Sequence, residues 1–212
     1  MIKVATLALA LAGALTSAQA QDAQAGARKA DMCIGCHGII GYQASFPEIH
    51  KVPKIAGQNA AYIVAALTAY KKGERRHPTM HAVAVSLNDK DMADLAAFYE
   101  QQGAPAQPDL PPVQPAGEVA ALLNKGACVS CHGANFNKPL APNYPKLAGQ
   151  HGDYLYVALK AYQTEGNPQV GRANPIMAGQ VKQFKREELK LLAQYLATLP
   201  GDGKTVPQSK FR

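Results

Sequence analysis

The sequence lacks any apolar run long enough to span a membrane. The longest apolar stretch covers residues 4–15, whereas a transmembrane helix needs about 20 residues. No second run approaches that length, so we expect a soluble mature protein with at most a peripheral membrane contact. The sequence also lacks a stripe of interleaved basic and aromatic residues. Its formal charge of +7 therefore does not indicate nucleic-acid binding.

Cysteine is scarce, because the chain has only four and all of them stand in two Cys-x-x-Cys-His runs. The runs are Cys33, Cys36 and His37, and Cys128, Cys131 and His132. A zinc site is disfavoured, since its second cysteine pair usually follows within about 20 residues of the first. No strand-like segment precedes either run, which argues against a thioredoxin-like motif. Two disulfides remain an alternative on the cysteine count alone.

A Cys-x-x-Cys-His run is typical of covalent c-type haem attachment. The two thiols form thioethers to the two vinyl groups of one haem. The adjacent histidine is then held beneath the iron as its proximal ligand. We therefore predict that Cys33, Cys36 and His37 bind one haem c, and that the run at 128–132 binds a second. Two haems in one chain indicate electron transfer.

The N-terminus has the pattern of a secretory signal peptide. Lys3 precedes the apolar stretch, and Ala18-Gln19-Ala20 matches an Ala-x-Ala cleavage site. We predict a signal peptide over residues 1–20, cleavage after Ala20 and export to the periplasm. A retained membrane-anchoring segment is the alternative, which the cleavage site disfavours.

The chain contains an internal duplication. The segment 53–58, Pro-Lys-Ile-Ala-Gly-Gln, returns at 145–150 as Pro-Lys-Leu-Ala-Gly-Gln. A helical apolar stripe follows each copy and carries tyrosines at matching places, Tyr62, Tyr70, Tyr154 and Tyr162. Further helices are predicted before each Cys-x-x-Cys-His run and after each Pro-x-Met, over residues 23–32, 89–101, 118–127 and 187–199.

A proline-rich segment separates the two copies and predicts an extended linker. We predict a first domain over residues 21–103, a linker over 104–117 and a second domain over 118–212. Each copy is therefore predicted to run as helix, Cys-x-x-Cys-His run, loop, helix, methionine loop and helix. Each domain is small for an apolar core, and a haem would supply the apolar body that the helices enclose.

The sixth iron ligand decides between electron transfer and catalysis at an open iron. Met80 and Met177 both follow a Pro-x pair, at similar distances behind their histidines. A methionine thioether closes the axial position and raises the potential. We predict Met80 and Met177 as the sixth ligands, and we interpret Met92, on a helical stripe, as a core residue.

Histidine ligation of the first haem is the alternative to Met80. The remaining histidines have no histidine counterpart in the other copy, and we interpret them as surface or loop residues. They are His50, His77, His81 and His151.

Several groups near the ligands have two interpretations. The carbonyls of Pro53 and Pro145 either accept a hydrogen bond from the ligating histidines or belong to ordinary turns. Arg75, Arg76 and Arg172 are interpreted as solvent-exposed, with pairing to haem propionates as the alternative.

Most of the positive charge lies in residues 105–212. This asymmetry either steers the second half toward an acidic redox partner or is a solvated surface without consequence. The basic residues that would carry such a surface are Lys182, Lys185, Arg186 and Lys190.

These motifs, in this order, resemble those of the dihaem cytochrome c4 family over nearly the whole mature chain. The resemblance implies two tandem class I cytochrome c domains, each all-α and wrapped around one covalently attached haem. It also implies an electron carrier, not an enzyme, between a quinol-oxidising complex or other donor and a terminal haem-copper oxidase. The ligands implied are Cys33, Cys36, His37 and Met80 for the first haem, and Cys128, Cys131, His132 and Met177 for the second.

Two other functions remain open. A cytochrome subunit of a flavocytochrome or another dehydrogenase complex would have a similar chain. A dihaem enzyme, such as a peroxidase or thiosulfate dehydrogenase, needs an exchangeable or unusual ligand, which the two methionines disfavour. The loop at 41–52 is longer than its counterpart at 134–144, which affects the surroundings of the first haem and not its ligands.

Overall fold

The computed structural model describes residues 21–105 and 114–207, which form ten α-helices and four two-residue strands. The helices of the first half are α1 (Ala23–Lys29), α2 (Asp31–His37), α3 (Ala60–Lys71), α4 (Pro78–Val85) and α5 (Asp89–Gln101). Those of the second half are α6 (Gly117–Lys125), α7 (Val129–His132), α8 (Gly152–Tyr162), α9 (Pro175–Val181) and α10 (Arg186–Thr198). The strands are β1 (Gln43–Ala44), β2 (His50–Lys51), β3 (Arg75–Arg76) and β4 (Gly171–Arg172). Within this part of the chain, no helix is long and apolar enough to cross a membrane.

The predicted signal peptide and its cleavage site lie outside the described residues, as do residues 106–113 of the predicted linker. The all-α fold class is confirmed, because helices account for nearly all the regular structure and strands appear only as two short pairs.

Each half encloses its own apolar core. In the first half, Met92 and Leu95 of α5 are each 1 % exposed and pack with Ile63 of α3. Met92 is therefore a core residue, as predicted. In the second half, Leu189 of α10 and Phe136 are fully buried at the centre of the corresponding cluster.

Helix α5 begins with a capping box, in which the side chains of Asn88 and Asp91 accept hydrogen bonds from each other's backbone N–H. It packs tightly against α1 at Gly26, where an added Cβ would lie 2.1 Å from the Asp94 carbonyl oxygen. The two helices can therefore cross at this distance only because residue 26 has no side chain.

The two Cys-x-x-Cys-His runs are helical, which the sequence did not indicate. The predicted helix at 23–32 divides after Ala30, and α2 continues through the first run. Helix α7 holds the second run from Val129 onward, and Cys128 is its N-cap. The methionine loops also differ from expectation, because Met80 and Met177 lie in the first turns of α4 and α9, each of which starts with a proline. Proline suits the first helical position, because the backbone N–H that it lacks would have no hydrogen-bond partner within the helix.

The repeated Pro-Lys-x-Ala-Gly-Gln segments join the two halves. Gln150 accepts a hydrogen bond from the Lys54 N–H at 3.0 Å and donates to the Lys54 carbonyl at 2.8 Å. Gln58 makes the same pair of bonds with Lys146, at 2.8 and 3.0 Å. These two glutamines and two lysine backbones, here called the glutamine clasp, relate the halves by an approximate twofold axis.

Of the other contacts across the interface, two are not repeated, and a third, the pairing of β3 with β4, joins equivalent segments of the two copies. The hairpin of β1 and β2, inside the long loop at 41–52, packs against α8, and Lys51 pairs with Asp153 at 3.3 Å. The C-terminal segment crosses back to the first half, where the Lys204 N–H donates to the Ala56 carbonyl at 3.0 Å. Strands β3 and β4 pair antiparallel across the interface, with Arg75 opposite Arg172.

Candidate functional site

The two Cys-x-x-Cys-His histidines have the same hydrogen-bond partner in both halves. Nδ1 of His37 lies 2.8 Å from the Pro53 carbonyl oxygen, and Nδ1 of His132 lies 3.2 Å from that of Pro145. Because a carbonyl oxygen only accepts, Nδ1 carries the proton and the lone pair of Nε2 faces away from this bond. The prolines are therefore acceptors and not only turn residues.

Both imidazoles are neutral at neutral pH. Burial lowers the pKa of His37, with a smaller contribution in the same direction from the positive charge of Arg75, while the bond to Pro53 opposes it. Burial likewise lowers the pKa of His132. A neutral imidazole with Nδ1 protonated and Nε2 unprotonated is the form that binds iron.

None of the four cysteines is in a disulfide, so the alternative of two disulfides is wrong. Burial raises the pKa of the Cys33 and Cys128 thiols. Cys33 packs at the edge of the first core, while Cys128 and Met177 both pack against the second. The donor set of each half, two thiols and an imidazole Nε2, fits one covalently attached haem c.

Each predicted methionine ligand is held by a capped helix start. The Asn174 side chain accepts a hydrogen bond from the Met177 N–H at 3.0 Å. In the first half the Nδ1 atom of His77 replaces this oxygen and accepts from the Met80 N–H at 3.5 Å. Thus each methionine occupies the third position of its own helix, and the capping residue before that helix fixes the direction of the first turn.

The remaining histidines do not form a second ligand set. His50 lies in the loop at 41–52, which fits its interpretation as a surface or loop residue, but it is only 4 % exposed and stacks on Tyr154 of the other half. His77 caps α4, and Nδ1 of His81 lies 2.8 Å from the Tyr70 carbonyl oxygen. Within the described residues, no group of three or more His, Cys, Asp or Glu side chains could hold a metal ion.

The tyrosine stripes of α3 and α8 meet around two arginines at the interface. Tyr154 accepts hydrogen bonds from Arg75 at 2.7 Å and from Arg172 at 3.1 Å, and Arg75 also donates to Tyr62 at 3.2 Å. The guanidinium groups lie over the rings of Tyr70 and Tyr162, at 4.6 and 5.3 Å from the ring centroids. We call these six residues the arginine–tyrosine cluster: Tyr62, Tyr70, Arg75, Tyr154, Tyr162 and Arg172.

The arginine–tyrosine cluster was missed in the sequence, where Arg75 and Arg172 were interpreted as solvent-exposed. That interpretation is wrong, because both guanidinium groups lie among the interface tyrosines. Burial alone would raise the pKa of Tyr154, but the charges of the two arginines and their hydrogen bonds outweigh it and lower the pKa to about 8. The available signal was that tyrosines and arginines recur at equivalent places in both copies.

Comparison with known proteins gives consistent matches over most of the chain. The Cytochrome c family model matches twice, over residues 23–102 and 116–200. Cytochrome c4 of Thiocapsa roseopersicina is 32 % identical over 191 residues, covering 85 % of this chain and 94 % of the relative. The thiosulfate dehydrogenase electron acceptor of Stutzerimonas stutzeri is 29 % identical over 207 residues, 92 % of each chain. The structure of cytochrome c4 from Acidithiobacillus ferrooxidans matches with a TM-score of 0.62 and 30 % identity, over 80 % of this chain and 99 % of that one.

The fold and the duplicated site define a c-type cytochrome with two helical domains in tandem. The chain belongs to the dihaem cytochrome c4 family. It is accordingly an electron-transfer protein with two covalently attached haem c groups, and the predicted cofactors are confirmed.

Proposed function

We propose that this chain is a periplasmic electron carrier, not an enzyme, with His/Met ligation at both irons. The supporting observation is that both halves hold the histidine and the methionine in the same way, by a proline carbonyl and by a capped helix start. Each haem, when bound, supplies an iron that takes up and releases one electron. The residues proposed for the first haem are Cys33, Cys36, His37 and Met80, and for the second Cys128, Cys131, His132 and Met177.

The chain's own groups suit a carrier whose ligands stay in place. The bonds from His37 and His132 to proline carbonyls fix ring orientation and increase the basicity of Nε2. A methionine on a capped turn moves little, so ligand rearrangement adds little to the barrier for electron transfer. Ligation by Met80 and Met177 would also exclude a substrate from each iron, which would separate a carrier from a haem enzyme.

The methionine assignment is tested by comparing Met80→Ala and Met177→Ala with Met92→Leu. The ferric protein should contain two haems per chain and should show the methionine-to-iron charge-transfer band. Each alanine variant should lose about half of the band, because one of two thioethers is removed. Met92→Leu should keep all of it, since Met92 lies in the core. One haem per chain, or an undiminished band in the alanine variants, would contradict the assignment.

For the redox partners, we propose a quinol-oxidising complex as donor and a terminal haem-copper oxidase as acceptor. A thiosulfate dehydrogenase is the second candidate donor, which the similarity to the Stutzerimonas stutzeri acceptor supports. Stopped-flow measurements with a purified enzyme of each class would distinguish them. Fast reduction by thiosulfate dehydrogenase, with no reduction by the quinol-oxidising complex, would favour the second candidate.

The docking surface proposed for an acidic partner is the exposed basic group of the second half. All four of its side chains are exposed: Lys182, Lys185, Arg186 and Lys190. Changing all four to Gln should slow the reaction with the partner at low salt and flatten its salt dependence. The control, which removes two positive charges instead of four, is Arg28→Gln with Lys72→Gln, two exposed cations of the first half. Equal rates in both variants would contradict docking at this surface.

The processing and domain boundaries are proposals as well. We propose removal of residues 1–20, a first domain at 21–103, a linker at 104–117 and a second domain at 118–212. N-terminal sequencing of the exported protein should begin at Gln21. Limited proteolysis should cut first within the linker, because few contacts cross a proline-rich connection.

A further inference from the structure

The helix that carries Met80 is capped differently from the helix that carries Met177. Asn174 accepts from the Met177 N–H at 3.0 Å, and within the described residues its side chain makes no other hydrogen bond. His77 stands at the equivalent place in the first half and caps α4 with one ring nitrogen. An imidazole has a second ring nitrogen, which is free to bind elsewhere while the first one caps the helix.

Both ring nitrogens of His77 have partners. Nδ1 accepts from the Met80 N–H at 3.5 Å, and Nε2 lies 3.2 Å from the Phe46 carbonyl oxygen. Because a carbonyl oxygen only accepts, the proton of the neutral imidazole is on Nε2, which leaves the lone pair of Nδ1 for the helix cap. The Phe46 ring also packs edge-on against the imidazole, with the ring centroids 5.6 Å apart. His77 is therefore held as one tautomer between Met80 and the turn of the hairpin of β1 and β2.

The same hairpin is held on its other side by the second half of the chain. The backbone N–H and the ammonium group of Lys51 both donate to the Asp153 carboxylate, at 3.0 and 3.3 Å. Glu48, in the turn of the hairpin, forms an ion pair with Lys160. Asp153 and Lys160 both belong to α8. The position of the hairpin turn, and with it the Phe46 carbonyl, is thus set by a helix of the second half.

We propose that His77 is a positioning residue for Met80, which connects the first haem site to the hairpin and, through the hairpin, to α8 of the second half. The proposal rests on the proposed ligation of the first haem by Met80. The Phe46 carbonyl orients the imidazole, and the imidazole orients the first turn of α4. A continuous series of contacts of this kind carries energetic coupling from one site to another. Asn174 caps α9 within its own turn, so the contact between the halves is transmitted to the first haem site and not to the second.

Imidazole added to the ferric protein measures how firmly each methionine is held, because it competes with the thioether for the same axial position. The NMR signals of the two methionine methyl groups, assigned with Met80→Ala and Met177→Ala, report the two haems separately. His77→Ala should raise the imidazole affinity of the first haem about fivefold, since the loss of a helix cap typically shifts a local equilibrium by this amount. Asn174→Ala should do the same at the second haem.

The conservative variant His77→Asn separates the cap from the connection. Asparagine is the capping residue at the equivalent position of the second half, so His77→Asn should restore most of the firm hold on Met80 that His77→Ala loses. Its shorter side chain cannot cap the helix and reach the Phe46 carbonyl at the same time. His77→Asn should therefore keep the imidazole affinity low while it disconnects Met80 from the hairpin.

Loosening the hairpin tests the connection itself. Glu48→Gln with Lys51→Gln removes both ion pairs to α8 and leaves the net charge unchanged. With His77 in place, this variant should raise the imidazole affinity of the first haem about threefold, because exposed ion pairs each contribute little, and it should leave the second haem unchanged. In His77→Asn the same two substitutions should have no effect. The matched control is Lys29→Gln with Asp91→Asn, which breaks an ion pair between α1 and α5 at the same net charge and should change neither affinity.

The outcomes distinguish this connection from the ligand assignment. No response of the first haem to the hairpin substitutions, an equal response in His77→Asn or in the control, or an equal response at both haems would overturn the connection. A charge-transfer band that is half lost in Met80→Ala, with no hairpin response, overturns the connection alone, whereas an undiminished band overturns the assignment and the connection together. Each variant should carry two haems per chain. If His77→Ala does not, the comparison of His77→Asn with and without the hairpin substitutions decides alone.

Discussion

Substituting Gln150 should loosen the interface at one identified pair of backbone groups. Gln150 accepts from the Lys54 N–H and donates to the Lys54 carbonyl, so Gln150→Ala removes both bonds. A third bond, from the His151 N–H to the same side chain, is lost as well, but it lies within the second half and does not cross the interface. At about 1 kcal/mol net for each bond, the two that cross the interface contribute about 2 kcal/mol, or about 30-fold in a local opening equilibrium.

Hydrogen exchange at the Lys54 amide measures this opening directly, because that N–H is one of the two broken bonds. Exchange should become about 30-fold faster in Gln150→Ala. The equivalent amide, Lys146, should change less, since its bonds to Gln58 remain. The interface should therefore open at one side of the clasp while the other side stays closed.

Gln163→Ala is the matched control. The Gln163 amide also donates two hydrogen bonds, to the carbonyls of Val181 and Phe184, but both lie within the second half. This variant should lower the stability of the second domain and leave Lys54 exchange unchanged. An unchanged Lys54 rate in Gln150→Ala, or equal acceleration in Gln163→Ala, would refute the clasp as a contact that holds the halves together.

Two further predictions concern stability. Gly26→Ala should cost about 1–3 kcal/mol in urea unfolding, because the added Cβ meets the Asp94 backbone, whereas Gly179→Ala meets nothing within 4 Å and should not destabilise. Burial alone would raise the pKa of Asp94, but hydrogen bonds from Lys90, the Asp22 N–H and Lys29 outweigh it and lower the pKa to about 2. Because the unfolded value is about 3.9, ionised Asp94 stabilises the fold above about pH 4, and this contribution disappears as the pH falls toward 2. Asp94→Asn should therefore lower the free energy of unfolding by about 1–2 kcal/mol more at pH 6 than at pH 2, after allowance for screening of the exposed lysines. If the free energy of unfolding changed equally between pH 2 and pH 6 in both proteins, this prediction would be contradicted.

Local signals explain which helices could be predicted. The predicted helix at 89–101 is α5 with the same bounds, because its capping residues and its apolar periodicity lie in the same short segment. Helices α2 and α7 were missed, since Cys-x-x-Cys-His runs carry no apolar period. The pairing of β3 with β4 was also missed, because each strand has two residues and finds its partner only in the other half.

The sequence by itself determined the cofactor, the family and the candidate ligands, because thioether attachment and axial ligation depend on residue types at fixed short spacings, and the duplication repeated every one of them. The tertiary structure alone decided how the two halves meet. It turned a repeated loop motif into the glutamine clasp, and it brought two arginines and four tyrosines into one cluster. These contacts join residues about a domain apart in the chain, and their partners are set by packing across an interface that no local pattern describes.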